Sequence, residues 1–344
     1  MHLRGAHSLF VCTLEVHTGD FMKYILAIDL GGTKIAVGIV DLKGKVLAKL
    51  VEPTQIRSGP KGVIRQIIRM SKDLFAKIRD QICIDSRVVG VGIGAPGPLK
   101  PAQGIIISPP NLPGWKNVQL VRPIRQAFKA PVFLDNDANA AALAEWMFGA
   151  GQGTKNMVYF TISTGIGAGV IINGCLYHGQ FAAGELGHMI IDPDGPKCSC
   201  GSYGCLEAFS SGTAIAREAK KAPKNSLLWK LCKGGTLTLD ASLVFRAAER
   251  KDKFAQEVLS RALVALGIGM VNTIHTFHPD KIVLGGGMMK EKKHILPFLR
   301  EFTQKKVMPA FRKNIKIQVA KLGQDAGLIG AAALVITKSS PISI

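Results

Sequence analysis

Residues 184–207 read GELGHMIIDPDGPKCSCGSYGCLE, and this stretch says more about the molecule than any other. Four side chains that could bind a metal lie within it: His188, Cys198, Cys200 and Cys205. One imidazole and three thiolates form a tetrahedral zinc set, and a closed set of this kind is structural rather than catalytic. The C-x-C spacing is tighter than usual for such sites, so unpaired thiols in a turn remain an alternative. The pattern favours a metal-stapled loop bracketed by two carboxylates, Glu185 and Glu207.

The composition of the whole chain is that of a globular protein. It has 344 residues, of which 47% are hydrophobic and 20% charged, so two domains with substantial cores are expected. No run approaches 18 uninterrupted apolar residues, so no membrane span is predicted. Seven cysteines are too few for a disulfide scaffold, and three of them have metal-site spacing. The chain therefore fits the reducing cytoplasm, and Cys12, Cys83, Cys175 and Cys232 are interpreted as small apolar residues.

The formal net charge is +20, which is unusually positive. A polyanionic partner, such as nucleic acid, an acidic membrane or a phosphate-rich substrate, is one explanation. Basic residues on solvated helices are the other. The second explanation is favoured because the basic residues are spread along the chain without interleaved aromatic residues. We therefore expect neither specific nucleic-acid binding nor membrane binding.

The first 21 residues are treated separately. They contain a short apolar run at 8–14 that is too short and too weakly basic for a secretory signal. Met22 stands directly before a strong strand pattern. Residues 1–21 are therefore expected to be an unstructured extension or the product of a misassigned start, outside the fold.

The remaining chain alternates between strand and helix patterns. Strands are predicted at 23–30, 35–40, 45–51, 88–94, 132–134, 156–163, 170–172, 281–284 and 315–320. Helices are predicted at 61–80, 118–128, 138–148, 211–221, 239–250, 253–277, 296–306 and 326–337, with a loop at 96–115. A strand, a glycine turn, a strand and then a helix occur twice, which is a weak internal duplication. This order predicts two α/β domains with a cleft between them.

Three glycine-rich turns follow predicted strands. The first is Asp29-Leu30-Gly31-Gly32-Thr33-Lys34, the second spans 161–169, and the third is 285–287. Glycines let backbone N–H groups approach an anion closely, and Asp29 could hold Mg²⁺ through water. A Walker A loop is absent, and the G-x-G-x-x-G pattern of dinucleotide-binding domains does not follow the first predicted strand. Each turn alone could be a simple hairpin, but together the three favour a nucleotide.

Asn136 and Asp137 stand between a predicted strand and a predicted helix. An aspartate there is stabilised in its ionised form, as a general base for phosphoryl transfer must be. The alternative is that one of the two residues is only a helix N-cap. From the residues alone, both interpretations stay open.

Taken in order, the DLGGTK turn, Asn136-Asp137, the STGIGAG turn and GELGH…CSCGSYGCLE strongly resemble the ROK family of sugar kinases and sugar-responsive repressors. The resemblance covers about residues 23–333, and the segments APGP (95–98) and PPNLPGW (109–115) are most similar to bacterial glucokinases. It implies an α/β, actin-like (ribonuclease H-like) fold. The expected domains are a smaller one, residues 22–137 plus about 325–338, and a larger one, residues 138–324, which carries the zinc loop 185–207.

The resemblance also implies roles for individual residues. The implied nucleotide- and phosphate-binding residues are Asp29, Gly31, Gly32, Thr33, Lys34, Thr164, Gly165, Gly167, Gly285, Gly286 and Gly287. The implied sugar contacts are Asn111, Asn136, Asp137, Glu185, His188 and Glu207, with Asp137 as the catalytic base. His188, Cys198, Cys200 and Cys205 would bind zinc, and the second ring nitrogen of His188 would contact the sugar.

The expected activity is ATP- and Mg²⁺-dependent phosphorylation of the 6-hydroxyl of glucose by a cytoplasmic homodimer or homotetramer, with domain closure excluding water. Another hexose (N-acetylglucosamine, N-acetylmannosamine, fructose or mannose) and a polyphosphate donor remain alternatives. A DNA-binding repressor is less favoured, because only 28 residues precede Asp29 and they show no paired-helix pattern.

Overall fold

The structure is a computed structural model, and it describes residues 10–11, 23–78, 88–232 and 239–339. Cys12, Cys83 and residues 79–80 of the first predicted helix lie outside the described residues, as does most of the predicted extension. Within that extension Phe10–Val11 forms a short strand, β1, which pairs antiparallel with residues 48–49. The expectation that the extension takes no part in the fold is therefore wrong for these two residues.

The chain divides into two compact units. The first comprises residues 1–152, 178–183 and 322–344, and the second comprises 153–177 and 184–321. This differs from the predicted boundary after Asp137, because the helix that begins there packs within the first unit. The first unit, expected to be the smaller, is about as large as the second.

The first unit is built on a six-stranded sheet of order β1-β4-β3-β2-β5-β9. Its strands after β1 are β2 (Tyr24–Leu30), β3 (Lys34–Asp41), β4 (Val46–Pro53), β5 (Val88–Ala95) and β9 (Val132–Asn136). Strands β2, β3 and β4 form an antiparallel meander, whereas β5 and β9 run parallel to β2. The carboxyl ends of β2, β5 and β9 therefore meet at one edge of the sheet.

Helices cover both faces of this sheet. Helices α1 (Gly59–Ile78) and α2 (Val121–Phe128) lie on one face, and α3 (Asp137–Phe148) and α10 (Ala326–Ser339) on the other. Burial on both faces explains why β2 is a nearly continuous apolar run, since Leu26 and Ile28 pack on one side and Ile25 on the other. A Cβ at Gly92 would collide with the backbone carbonyl of Ala331, so the glycine lets α10 lie close against β5.

The segment 96–115 differs from the predicted loop. It contributes β6 (Leu99–Lys100), a 3₁₀ helix (Pro101–Gln103) and β7 (Ile105–Ile106). With β8 (Val118–Gln119) they form a small three-stranded sheet, so the helix predicted from 118 begins only at 121. Strands of two residues are too short to show a periodic pattern. Trp115 is 2% exposed and anchors the segment to the core.

The second unit is built on a five-stranded sheet of order β12-β11-β10-β13-β14. Its strands are β10 (Met157–Ile162), β11 (Ile166–Ile172), β12 (Cys175–Leu176), β13 (Lys281–Gly285) and β14 (Ile317–Val319). Strands β10, β13 and β14 are parallel, and β11 is antiparallel to β10. Its helices are α4 (Leu206–Ser210), α5 (Gly212–Ala219), α6 (Leu227–Leu231), α7 (Ala241–Glu249), α8 (Lys253–Phe277) and α9 (Lys292–Lys306).

Side-chain caps begin four helices of this unit, and those of α5 and α8 show how they act. The helix predicted at 211–221 is preceded by a separate short helix, because Ser211 is extended and its hydroxyl accepts a hydrogen bond from Ala214 N at 3.1 Å. Asp252 caps α8 through Ala255 N at 2.8 Å and also accepts a bond from Leu228 N at 3.0 Å. The caps thus fix where each helix begins.

Helix α8 is the one described helix that is long and apolar enough to cross a membrane by length and composition, with a mean hydropathy of 1.4 over its best window. More than half of that window is buried inside the protein. Its side chains, including Leu259, Leu266 and Met270, belong to the core of the second unit. We therefore interpret α8 as a core helix.

Candidate functional site

The first glycine turn joins β2 to β3 and is closed by its neighbours. Gly31 N donates to Lys34 O at 3.0 Å, and Thr54 binds the turn through its backbone N–H to Thr33 O at 3.0 Å and its hydroxyl to Gly31 O at 2.7 Å. A Cβ at Gly32 would collide with the backbone of Asn111. The structure thus brings Asn111, from the PPNLPGW segment, directly against this turn.

Asp29 lies at the carboxyl end of β2, next to this turn. Burial raises the pKa of its carboxyl group above the ordinary value, and the positive charge of Lys34 offsets only part of that effect. A Cβ at Gly327 would collide with the Asp29 carboxylate, so the first turn of α10 lies against it. A partly buried carboxylate with a raised pKa is well suited to receive a cation or its water shell.

Asn136 and Asp137 contribute differently to the start of α3. Asn136 is the N-cap of α3, and its Oδ1 accepts bonds from Ala138 N at 2.8 Å and Asn139 N at 3.3 Å. Asp137 is the first residue of the helix, and its exposed side chain also accepts a bond from Ala138 N at 2.8 Å. Because Asn136 provides the cap, the Asp137 carboxylate stands at a helix N-terminus without being required to cap it.

A hydrogen-bond network beneath this pair was not anticipated from the sequence. Asp135 is 4% exposed. Its Oδ1 accepts bonds from Asn136 N at 2.8 Å and Asn139 Nδ2 at 2.9 Å, and its Oδ2 lies 2.6 Å from His178 Nε2. The network fixes the backbone that carries Asn136 and Asp137. The i,i+4 spacing of Asp135 and Asn139 at the start of a helix could have suggested one contact, but no local pattern points to His178.

The register of the parallel strands places these carboxylates at one edge. Asp29 pairs with Gly94, and Gly94 pairs with Asp135, so the two aspartates lie in one row across three strands. Two inter-strand spacings separate their backbones by about 10 Å. The first unit therefore collects the glycine turn and the Asn136-Asp137 pair at the carboxyl end of its sheet.

The second glycine turn is shorter than expected. Ile162 pairs with Ile166, so the turn between β10 and β11 consists of Ser163, Thr164 and Gly165. Gly167 lies in β11 opposite Thr161, and the expectation that it belongs to the turn is wrong. The strand pattern was hidden because the sequence there alternates glycine with small residues.

The third glycine turn lies beside the second because β10 and β13 are parallel neighbours. Thr161 pairs with Gly285, and Gly286 has a φ of +90° with its Cα against the backbone of Ile162. The N-terminus of α5 joins them, since Gly212 N donates to Ser163 O at 2.7 Å. Two glycine turns and a helix N-terminus at one sheet edge form a backbone-rich cradle suited to an anion.

The four potential metal ligands converge as their spacing predicts. One ligand atom from each of His188, Cys198, Cys200 and Cys205 lies within 4.8 Å of all the others. Cys198 Sγ is 3.5 Å from His188 Nδ1, and Cys200 Sγ is 3.7 Å from Cys205 Sγ. A tetrahedron with zinc bond lengths has edges of about 3.6 Å between nitrogen and sulfur and about 3.8 Å between sulfurs. The donor set and its spacing therefore fit zinc, with Nδ1 as the histidine ligand.

The thiols of this cluster differ in acidity without a metal. Burial, with the neighbouring thiols, raises the pKa of Cys205 to about 12. A backbone hydrogen bond from Ser202 lowers the pKa of Cys200. Elsewhere, Cys232 is buried as expected for a small apolar residue, whereas Cys175 is exposed and does not fit that interpretation.

Glu207 connects the cysteine loop to the second glycine turn. Its Oε2 accepts a bond from Ile166 N at 2.8 Å and lies against Gly165, while its Oε1 accepts a bond from the Ser199 hydroxyl at 3.1 Å. Burial raises the pKa of the Glu185 carboxyl group, His188 lowers it and Glu207 raises it again. Glu185, His188 and Glu207 therefore lie within electrostatic range of one another.

Comparison with known proteins identifies the family. The model of the ROK family matches residues 25–338. The chain belongs to the ROK family. This confirms the resemblance seen in the sequence, and the fold is the actin-like (ribonuclease H-like) α/β fold of ROK sugar kinases.

Three ROK relatives show the range of the family. The chain is 38% identical to a glucokinase from Thermotoga maritima over 315 residues, covering 90% of this chain and 96% of that protein. It is 30% identical to a xylose repressor from Caldicellulosiruptor bescii over 316 residues, covering 91% and 78%. Among solved structures, a ROK glucokinase from Streptomyces griseus in complex with glucose and AMPPNP is similar, with 32% identity, a TM-score of 0.75 and coverage of 90% and 98%.

Proposed function

We propose that this ROK protein is a cytoplasmic, ATP-dependent hexokinase that phosphorylates the 6-hydroxyl of glucose. The observation that carries the proposal is the Glu207 carboxylate, which joins a phosphate-type glycine turn to a zinc-type loop bearing polar side chains. A kinase needs such a connection between its phosphate-binding and sugar-binding groups. The higher identity to glucokinases than to repressors supports the same assignment.

The nucleotide role is assigned to the three glycine turns. In the first unit, Asp29, Gly31, Gly32, Thr33 and Lys34 would contact phosphates. In the second unit, Thr164 and Gly165 would do the same and Gly285 to Gly287 would contact the adenosine portion, whereas Gly167 is left as a strand residue. Mg²⁺, when bound with ATP, neutralises phosphate charge, and Asp29 is the side chain that would hold its water shell.

The catalytic role is assigned to Asp137. Its carboxylate would accept the proton of the 6-hydroxyl while that oxygen attacks the γ-phosphorus of ATP, the bond from the γ-phosphorus to the β–γ bridging oxygen breaks, and ADP leaves with that oxygen. The N-terminus of α3 favours the ionised carboxylate, and the buried Asp135 network holds the backbone beneath it. Asn111 and Asn136 would read neighbouring hydroxyls with their amide groups.

The zinc role is assigned to His188, Cys198, Cys200 and Cys205. Binding through Nδ1 leaves Nε2 of His188 for a sugar hydroxyl, and a ligated ring has a fixed orientation. Glu185 and Glu207 would accept bonds from further hydroxyls. We expect about one zinc per chain by elemental analysis. Full activity after zinc removal would contradict this assignment.

The substrate is tested by ADP release with Mg²⁺-ATP against glucose, mannose, fructose, N-acetylglucosamine, N-acetylmannosamine and allose. Glucose is expected to give the highest kcat/KM, because discrimination rests on hydroxyl-matched hydrogen bonds. Polyphosphate in place of ATP is expected to support little turnover. A gel-shift salt series with DNA should show only non-specific binding, and light scattering should give a homodimer or homotetramer.

A further inference from the structure

A cavity of about 990 Å³ lies within the first unit and reaches the buried Asp135–His178 contact from the side of β9. It is an open cavity that runs along β9, the outer strand of the six-stranded sheet, and is bordered by the 3₁₀ helix Pro101–Gln103, the first turns of α2, the loop at 178–181 and the end of α10. Its floor is apolar and includes Val132, Leu134 and Leu334. None of the proposed sugar- or nucleotide-contacting side chains lines it.

The charge of this cavity is almost entirely positive. Four basic side chains line it: Lys100, Arg122, Arg125 and Lys338. None of the four takes part in an ion pair with any residue that the structure describes. The single carboxylate in the wall is Asp135, and His178 lies 2.6 Å from its Oδ2. The positive potential of the cavity is therefore not cancelled from within.

Clustering distinguishes this region from the rest of the basic surface. Several other lysines are matched by nearby acids, such as Lys49 by Asp325 and Lys221 by Glu218. In the cavity, like charges from three separate elements face one space despite their mutual repulsion. A concave wall of one sign focuses the electrostatic field and concentrates counter-ions. Such a cluster of positive charges is expected where a bound anion neutralises it.

The lining also limits the chemistry of that anion. Arginine guanidinium groups bind phosphate oxygens in pairs, and Arg122 and Arg125 lie three residues apart on α2. The Gln119 amide bonds within the wall, donating to Gln103 O at 2.9 Å, while the amides of Gln103 and Gln180 can bind hydroxyl or phosphoryl oxygens. The volume is at the upper end of small-molecule sites. These features fit a small molecule with at least two phosphate groups.

We propose that this cavity is a binding site for a small polyphosphorylated molecule, separate from the nucleotide and sugar sites. An organic ligand of this kind is a sugar bisphosphate, and an inorganic one is a short polyphosphate. Binding needs only the first unit and its charges, so it does not depend on the proposed kinase activity.

The test is calorimetric titration of the full chain with a hexose bisphosphate and, separately, with inorganic tripolyphosphate. The titrations are done at about 150 mM salt, where non-specific surface attraction is screened. Saturating Mg²⁺-AMPPNP is present so that the glycine turns are already occupied. One saturable site per chain is expected for at least one probe, and the tighter probe shows which form of the ligand the site prefers.

Two double variants and one matched control decide the location. R122A/R125A and K100A/K338A each remove two cavity charges, and R65A/K72A removes two exposed charges from α1 in the same unit. Each cavity variant should weaken binding at least about tenfold, because charge-assisted hydrogen bonds are lost, while the control binds normally. If one of the two cavity variants fails to fold, the other still tests the location of the site.

Three outcomes would overturn the proposal. The first is that neither probe binds saturably. The second is that both cavity variants bind as tightly as the wild type, which would place the site elsewhere. The third is that R65A/K72A weakens binding as much as the cavity variants do. Binding would then depend on the net charge of the protein and not on the cavity. If AMPPNP itself does not bind, the proposed kinase function fails, while the cavity titration can still be read.

Discussion

At the scale of single residues, the cap that Asn136 provides bears most directly on the proposed role of Asp137 as the base. Asn136 fills the N-cap position, which leaves the exposed Asp137 carboxylate at the helix N-terminus. A residue in that position can accept a proton without losing a cap. The sequence showed both residues but not which one capped α3, because either side chain can do so.

The first prediction concerns this base. Replacing Asp137 with Asn should lower kcat by about 10²–10⁴-fold, since general base catalysis typically contributes that much. Sugar binding, measured by calorimetry, should change little because the amide retains a hydrogen-bonding oxygen. D73N, at an exposed helix position, is the matched control. Near-normal turnover of D137N would remove Asp137 from the mechanism.

The second prediction concerns Asp135 as a positioning residue. Replacing it with Asn leaves one carbonyl oxygen for a network that uses both carboxylate oxygens, so the free energy of unfolding should fall by about 1–3 kcal/mol. Turnover should fall while KM for ATP is unchanged. H178Q, whose amide can still donate to Asp135, should be milder than H178A. Equal effects of H178Q and H178A would argue against the hydrogen bond.

The third prediction follows from the raised pKa of Asp29. Because the folded-state pKa lies above the unfolded value of about 3.9, the folded state binds more protons between those two pKa values. The contribution of Asp29 to stability therefore falls as pH rises through that window and stays reduced above it. An asparagine at position 29 cannot ionise, so it avoids this loss of stability.

Urea unfolding without nucleotide or Mg²⁺ measures this effect. D29N should be more stable than the wild type at pH 7, and the difference should shrink as the pH approaches 4. A D29N protein that is less stable at pH 7 would mean that the charged carboxylate is stabilised by the fold.

At the scale of elements, a glycine without a Cβ lets the third glycine turn lie directly against the neighbouring strand β10. Gly286 combines a φ of +90° with an approach to the Ile162 backbone that leaves no room for a Cβ. Gly323 also has a positive φ, of +60°, but open space surrounds its Cβ position. A side chain would strain the backbone at both positions, but it would collide with neighbouring atoms only at Gly286.

The fourth prediction uses this pair. G323A should cost about 1–2 kcal/mol, the ordinary penalty for a side chain in the left-handed region. G286A should cost more and should also weaken AMPPNP binding, because the third glycine turn must move away from β10. Thermal unfolding and nucleotide titration measure both quantities. Similar losses in the two variants would show that close approach at Gly286 has no energetic importance.

Elements with a strong local pattern could be predicted from the sequence. Helix α8 was predicted with its exact observed bounds, because Asp252 caps it and its apolar residues repeat regularly. The three-stranded sheet around β7 was missed because its strands have only two residues each. Helix α4 was missed because its five residues are too few to show a helical period, whereas the helix that follows Ser211 was predicted.

At the scale of the whole molecule, the candidate site could be predicted only where its residues are grouped along the chain. The zinc-type cluster spans 18 residues of one loop and was visible in the sequence. The Asp135–His178 contact joins residues 43 positions apart, and no local signal marks it. The positive cavity was equally hidden, since its basic side chains come from three separate elements.

The functional meaning of the net charge was also hidden in the sequence. A formal charge of +20 did not indicate a partner, because charge summed over the chain carries no position. Among the described residues, some basic side chains pair with acids and four line the cavity, whereas others, such as Arg65 and Lys72, do neither. The functional meaning of the charge therefore depends on tertiary structure.

The most direct test of the central claim is ADP release by the purified protein with Mg²⁺-ATP across the hexose panel. The proposal predicts the highest kcat/KM with glucose, weak activity with N-acetylated hexosamines, and loss of turnover in D137N. Turnover with an N-acetylated hexosamine in preference to glucose would contradict the substrate assignment. No turnover with any hexose would contradict the kinase function itself.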